Sequence, residues 1–498
     1  MLGDLLTGVL TALQPLNLLI LLFALTAGFF AGAMPGISGT TLIVVLMPVT
    51  FWMDPIPVFV MMAGLYASSS FSGAVSAILF RIPGTSEAVA TTFDGYPMAQ
   101  KGLAGEALGL SMTSSAFGGM VGALFLFFLT KPLTNVALRF SSPEYFALAL
   151  MGLTMIATLS AKNLAKGLLS AFFGLLLASV GPDALSANVR FSFGVPLLRA
   201  GLSMAPIMTG LFGISQIMRN IRGGMKGLAN EEGPGKIKAK LFSWDLIRRC
   251  LPTMGLSSLI GTMIGILPGV GGSTASVVAY SQAANLSKHP EEFGKGAPEG
   301  VAAPEAANNA AGTASFIPLF SLGIPGSATS AIILGAFVMH GLQPGPLLMT
   351  KQPVLVYTTI AALFLINLLV MVFCKPLIAA FVHVRKVPYS LLAPLIFIFC
   401  CIGTYNSRNA VFDLYVMLVF GLVGYVLEKL ELPLAPIILG YVLGPTAEIE
   451  FRRALHISGG ELSIFVTRPI CLVLLLVCVV SLGYGIYNSV ASNKKKTA

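Results

Sequence analysis

The chain has 498 residues, 56% hydrophobic and only 10% charged, with a mean hydropathy of +0.87 and a formal net charge of +10. A soluble domain carries roughly 25% charged residues, so a soluble fold of this size could not cover its surface. The basic excess does not point to nucleic acid either, because it is concentrated in short stretches beside apolar segments.

No Asp, Glu, Lys or Arg occurs at 5–53, 55–80, 250–287 or 306–350. A spanning helix needs about 20 mostly apolar residues, so each of these stretches holds one or two crossings. In chain order, apolar segments are expected near 16–33, 37–53, 56–80, 103–130, 143–160, 164–181 and 196–218. A second series follows at 250–267, 273–287, 308–340, 354–382, 388–404, 411–428, 432–447 and 466–488. Several are too short to span alone, and Pro318 and Pro325 interrupt 308–340. The expectation is an all-α polytopic membrane protein with about 10 to 14 crossings, including broken helices or re-entrant pieces.

Between the two series lie Arg219, Arg222, Lys226, Lys236, Lys238, Lys240, Arg248 and Arg249, and the C-terminus adds Lys494, Lys495 and Lys496. Short basic loops beside apolar segments are the positive-inside signature, which places 219–249 and the C-terminus in the cytoplasm. The N-terminus opens with Asp4 and a long apolar run, unlike a cleavable signal peptide. The six cysteines lie in or beside apolar runs without a Cys-x-x-Cys pair and read as buried free thiols. The four histidines make no His-x-x-x-His metal spacing.

An internal repeat organises the chain. Gly-Ala-Met-Pro-Gly-Ile-Ser-Gly-Thr-Thr at 32–41 returns as Gly-Ile-Leu-Pro-Gly-Val-Gly-Gly-Ser-Thr at 265–274. Ile-Pro-Gly-Thr at 82–85 returns as Ile-Pro-Gly-Ser at 324–327, and Lys-Pro-Leu at 131–133 returns at 375–377. Three signals recur in the same order at nearly constant spacing. The expected organisation is a first repeat half at 1–218, a basic linker at 219–249, a second half at 250–465, and a terminal helix with a basic tail at 466–498. Duplicated halves with paired Gly/Pro interruptions are a signature of secondary transporters. An odd number of crossings per half would invert the repeats, and the first half reads most easily that way.

The interruptions carry the chemistry. Proline removes a backbone donor, glycine tolerates left-handed conformations, and together they end a helix inside the bilayer. The freed backbone groups must then line a cavity or be buried in protein. Amides at a restarted helix suit a carboxylate, and freed carbonyls suit Na⁺. The first pair of candidate substrate-binding breaks comprises Pro35, Gly36, Ser38, Gly39, Thr40 and Thr41, matched by Pro268, Gly269, Gly271, Gly272, Ser273 and Thr274. The second pair comprises Pro83, Gly84, Thr85 and Ser86, matched by Pro325, Gly326 and Ser327. Small residues could instead serve only close helix packing. Arg81 could meet an anion bidentately, or pair with Glu87, or snorkel to the interface. Asn308, Asn309, Thr313 and Thr329 are candidate ion ligands beside Glu305, the alternative being an interfacial loop whose asparagines cap the next helix.

The 32–41 motif, the stretch at 80–99 from Phe-Arg-Ile-Pro-Gly-Thr-Ser-Glu onward, and Pro-Glu-Ala-Ala-Asn-Asn-Ala-Ala-Gly-Thr at 304–313 resemble the large membrane subunit of tripartite tricarboxylate transporters. The likeness covers about residues 15–450. It implies uptake of a di- or tricarboxylate across the bacterial inner membrane, driven by an ion gradient. It also implies a periplasmic solute-binding protein and a small membrane subunit as partners, with a second copy of the chain as a further candidate. The fold it implies resembles transporters with inverted repeats, re-entrant hairpins and elevator-like motion. Na⁺ is the favoured coupling ion because few intramembrane carboxylates are available to relay protons, and no other cofactor is expected.

Other classes fare less well. No His-Glu-x-x-His, Gly-x-Gly-Asp or membrane Ser–His pair supports an intramembrane enzyme, and no Gly-x-x-x-x-Gly-Lys-Ser/Thr loop supports ATP-driven transport. A channel, or a scaffold subunit without its own substrate site, stays open as the alternative.

Overall fold

The structure is a computed structural model that describes residues 2–34, 38–160, 164–183, 185–186, 188–222, 241–384 and 389–497. Pro35 and Gly36, and the basic residues Lys226, Lys236, Lys238 and Lys240, lie outside the described residues. The described chain is almost wholly helical, as expected for an all-α polytopic membrane protein. The first half contains α1 (Leu2–Ala12), α2 (Pro15–Ala33), α3 (Gly39–Leu46), α4 (Pro55–Phe80), α5 (Thr91–Met98), α6 (Ala104–Ala137), α7 (Ser142–Ser160) and α8 (Leu164–Ala178). A small antiparallel pair, β1 (Gly181–Pro182) and β2 (Val189–Arg190), precedes α9 (Met204–Met208) and α10 (Ser215–Arg222). A π-helical stretch at Thr209–Ile214 joins α9 to α10 in one rod.

After residue 241 the chain runs through α11 (Trp244–Ile266), α12 (Gly271–Leu286), α13 (Glu299–Ala314), α14 (Phe316–Leu322), α15 (Ala328–Met339) and α16 (Pro346–Lys351). It continues through α17 (Pro353–Val384), α18 (Tyr389–Arg408), α19 (Val411–Lys429) and α20 (Ala435–Ile457), and the chain finishes with α21 (Ile464–Thr467) and α22 (Pro469–Thr497). Among the described residues, five helical stretches are long and apolar enough to cross a membrane alone: Pro15–Ala33, Pro55–Phe80, Thr91–Ala137, Pro353–Phe381 and Val411–Lys429. Shorter apolar helices, α3 and α15 among them, adjoin the breaks.

Proline does not end every helix that contains it. Pro318 sits in the first turn of α14, where its missing N–H costs nothing, so the interruption of 308–340 falls at 323–327. Lys131-Pro132-Leu133 and Lys375-Pro376-Leu377 lie within α6 and α17.

The centre is built on α4 and α13, which are buried almost all round, as expected of helices without a solvent or lipid face. Each is approached by a neighbour across small residues. An alanine Cβ at Gly28 or Gly32 of α2 would lie 1.8 Å from Ser68 Oγ and 2.2 Å from the Ser69 carbonyl of α4. At Gly261 and Gly265 of α11, it would lie 2.1 and 2.3 Å from the carbonyls of Ala307 and Ala311 on α13. Both seams are Gly-x-x-x-Gly faces that let backbones touch, and they occupy matching positions in the two halves. The halves also interleave: α13 packs on α6, α17 on α4, and α20 on α7 and α8. A large apolar core drawn from both halves surrounds the centre, with Phe59 stacked on Phe337 at 3.7 Å between ring centroids.

Candidate functional site

Each break is built by local chemistry. Ser38 caps α3: its Oγ accepts the Thr41 amide at 3.1 Å and shares a 2.8 Å hydrogen bond with the Thr41 hydroxyl. Ser327 caps α15 reciprocally, its Oγ accepting the Ser330 amide at 3.1 Å while Ser330 Oγ accepts the Ser327 amide at 2.8 Å. At the start of α12, Gly269 and Gly271 have φ of 82° and 73°, a left-handed backbone that glycine adopts without strain. The Gly269 amide donates to the Gly326 carbonyl at 3.1 Å, tying together the two breaks of the second half.

The breaks of the two halves close on one another. Thr40 Oγ1 at the start of α3 shares a 2.9 Å hydrogen bond with Thr329 Oγ1 at the start of α15. The first half's second break reaches the second half's first break, and a Cβ on Gly272 would lie 3.1 Å from Glu87 Oε1. Within each half the glycines repeat one contact. A Cβ on Gly84 would sit 2.1 Å from the Gly32 carbonyl, and one on Gly326 would sit 2.5 Å from the Gly265 carbonyl.

These contacts enclose a cavity of about 670 Å³, within the range of small-molecule sites. Ser38, Gly39, Thr40, Thr85, Ser86, Gly269, Gly271, Gly272, Ser273, Ser327 and Thr329 all line it. The starts of three helices, α3, α12 and α15, therefore converge on one space with hydroxyls among them. Helix starts carry unpaired amides and a partial positive charge, so the cavity is suited to an anion.

Other expected positions lie behind or away from its wall. Thr41 is buried under its cap, Pro268, Pro325 and Gly326 are buried, Gly84 packs on the Gly32 carbonyl, Pro83 is half-buried outside the lining, and Thr274 is exposed and outside it too. Asn308 and Asn309 are in the buried interior of α13, which replaces the capping-loop alternative with a continuous helix. Asn308 Oδ1 accepts from Ser70 Oγ at 2.7 Å, whereas Asn309 Nδ2 donates to the Glu305 carbonyl at 3.1 Å. Thr313 packs where α13 meets Gly122 of α6. Arg81 is exposed, with its guanidinium 5.8 Å from the Tyr96 ring centroid, and is not among the cavity residues.

The cavity also contains residues that sequence reasoning passed over. Tyr66, Ser69 and Ser70 come from the middle of α4, and the Tyr66 hydroxyl lies 3.1 Å from Ser327 Oγ. The Ser-Ser-Ser run at 68–70 inside an otherwise apolar helix was the available signal. Two ion pairs also line it, Lys166–Glu431 at 3.3 Å and Arg219–Glu428 at 2.8 Å. Nothing in the sequence links these partners, because they are distant in the chain and meet only on folding.

The fold is that of a polytopic helical membrane protein, and the family it matches is one of transporter components, not of enzymes. Residues 18–439 match the tripartite tricarboxylate transporter TctA family, and the chain belongs to that family. Its family assignment makes it the large membrane subunit of a tripartite system, whose other parts are a periplasmic binding protein and a small membrane subunit. It is 39% identical over 496 residues to an uncharacterized 52.8 kDa protein in the TAR-I ttuC' 3' region of Agrobacterium vitis, covering 100% of this chain and 98% of that protein. It is 48% identical over 223 residues to a protein in the TAR-II ttuC' 3' region of the same organism, covering 44% of this chain and 92% of that protein. No solved structure matches.

Proposed function

We propose that the chain carries a di- or tricarboxylate anion across the bacterial inner membrane by alternating access around the cavity between its breaks, driven by a monovalent cation gradient. The convergence of the α3, α12 and α15 starts, with their hydroxyls, on one cavity carries this reading. The matching Gly-x-x-x-Gly seams and the reciprocal closing of the breaks support two inverted repeats. Arg219 lines the cavity and also begins the basic stretch at 219–249. If that stretch is cytoplasmic by the positive-inside rule, the cavity opens inward and the basic C-terminus shares that side. The sequence favoured Na⁺ for want of intramembrane carboxylates. Glu87, Asp94 and Glu305 all lie within the helical body, so Na⁺ and H⁺ are both retained.

The test is uptake of labelled citrate or tartrate into vesicles holding the full tripartite complex. Replacing Ser38, Ser273 by Ala and Thr40, Thr329 by Val is expected to raise KM and weaken gradient-driven accumulation. Unchanged affinity and ion dependence, or a current independent of substrate, would overturn the reading.

A further inference from the structure

Glu87 does not fit a site built only to attract anions. It lines the same cavity as the three helix starts, and among the described residues no Lys, Arg or His pairs with it. The two cations lining the cavity are engaged elsewhere, Lys166 with Glu431 and Arg219 with Glu428. The surrounding elements add no positive charge. Facing Glu87 are Tyr66 and Ser70 from α4, Gly272 from α12, and Asn308 from α13, with the buried Glu305 close enough for the two charges to act on one another. Glu305 takes hydroxyl donors from Thr91 at 2.5 Å and Ser115 at 2.8 Å. On the Glu87 segment itself, Arg81 turns to Tyr96, and Asp94 is held by the amides of Gly296 and Ala297 and by the Tyr280 hydroxyl.

The hydrogen bonds at Glu87 also leave one acceptor without a donor. Ser70 Oγ lies 2.5 Å from Glu87 Oε2 and 2.7 Å from Asn308 Oδ1. A serine hydroxyl has one hydrogen and can donate to only one of them. Asn308 is fully buried, and its Nδ2 has no hydrogen-bond partner. Turned end for end, the amide donates to Ser70 and frees that hydroxyl for an ionised Glu87, but then leaves Oδ1 unpartnered. In either orientation one buried amide atom is unpaired, which a native interior rarely leaves so. Three oxygens thus meet at the cavity wall beside an unpaired buried amide. A proton on Glu87 lets the chain run Glu87 to Ser70 to Asn308, and a Na⁺ between the oxygens meets the hard donors it prefers.

Resting on the transport reading above, we infer that Glu87, with Ser70 and Asn308, is the coupling site, where one monovalent cation neutralises the carboxylate and thereby admits the anionic substrate. Uptake of the anion then carries that cation with it. With Glu87 ionised, the substrate meets like charge at the helix starts and binds poorly.

The experiment uses vesicles holding the full complex, with two arms: an imposed Na⁺ gradient at equal pH, and an imposed pH gradient without Na⁺. The arm that drives accumulation by the native complex identifies the cation. E87Q is expected to lose accumulation in that arm, while exchange of external labelled for internal unlabelled substrate becomes independent of the cation. S70A, a gentler change, is expected to shift the half-saturating cation concentration about tenfold or more, upward in the Na⁺ arm, where the ion loses a ligand, and downward in the H⁺ arm, where the ionised carboxylate loses its donor. If E87Q accumulates substrate with native ion dependence, the assignment is wrong while the transport reading stands. An assembled E87Q complex that loses exchange together with accumulation overturns it too. If E87Q does not assemble, S70A decides, and an unchanged cation dependence refutes the inference. Absence of substrate-saturable flux in the native complex in both arms refutes the transport reading instead.

Discussion

Ser327 offers the sharpest perturbation of the cavity. Its side chain caps α15, and the Tyr66 hydroxyl from α4 lies 3.1 Å from the same oxygen. Ser327→Ala removes the cap, which is worth about 1 kcal/mol. It also takes a partner from the Tyr66 hydroxyl, a loss of about 1 kcal/mol where the hydroxyl lines a cavity. The sum, about 2 kcal/mol, corresponds to roughly a 30-fold change in an equilibrium constant. The first turn of α15 presents Ala328 and Thr329 to the cavity, so this loss should fall on the substrate site. Uptake assays on the assembled complex should show KM raised by up to roughly 30-fold, with a lower thermal midpoint in detergent. Ser327→Thr keeps a capping hydroxyl and should restore most of both. A Ser327→Ala complex with native KM and midpoint would refute the argument that the cap positions the site.

Gly84→Ala should destabilise by about 1–3 kcal/mol or more, because its Cβ would press on the Gly32 backbone carbonyl, which cannot swing away. The yield of monodisperse protein should fall, whereas Gly483→Ala, with open space around it, should leave the yield unaffected. Asp183 accepts the Ser186 hydroxyl and an Arg452 N–H, and these hold its carboxyl below the usual carboxylate range. A depressed folded pKa stabilises above the unfolded value of about 3.9 and is lost only as pH falls through the lower folded value. Protease protection of the 181–190 pair should therefore hold from about pH 8 to about pH 5 and fail only in stronger acid, and a loss near neutrality would contradict this.

Much of the architecture was legible because membrane helices leave long uncharged runs, and because the breaks occur twice. Duplication turned Ser38, Thr40, Ser273 and Ser327 from ordinary small polar residues into matched positions, and all four line the cavity. The remaining lining was hidden by helix geometry. Ser69 and Ser70 face the cavity from an unbroken helix, and periodicity does not say which face of an all-round buried helix is special. Asn308 and Asn309 are neighbours in sequence, yet helical rotation sends one to Ser70 and the other back to its own turn. Arg219 and Glu428 belong to different halves, and charge alone did not pair them.

The reciprocal closing of the breaks has a consequence for how the protein is made. Thr40 finds its hydroxyl partner only on Thr329, and Glu87 finds Gly272 and Ser70 finds Asn308 only in the second half. At synthesis rates of about 5–20 residues per second, roughly 10 to 50 s separate the emergence of the first-half breaks from that of their partners. During that interval, interrupted backbone and a carboxylate sit at membrane depth with no matching surface, where unpaired polar groups are costly. The nascent first half is therefore the natural client of whatever shelters polar segments during membrane insertion. Its vulnerability ends when the start of α15 arrives.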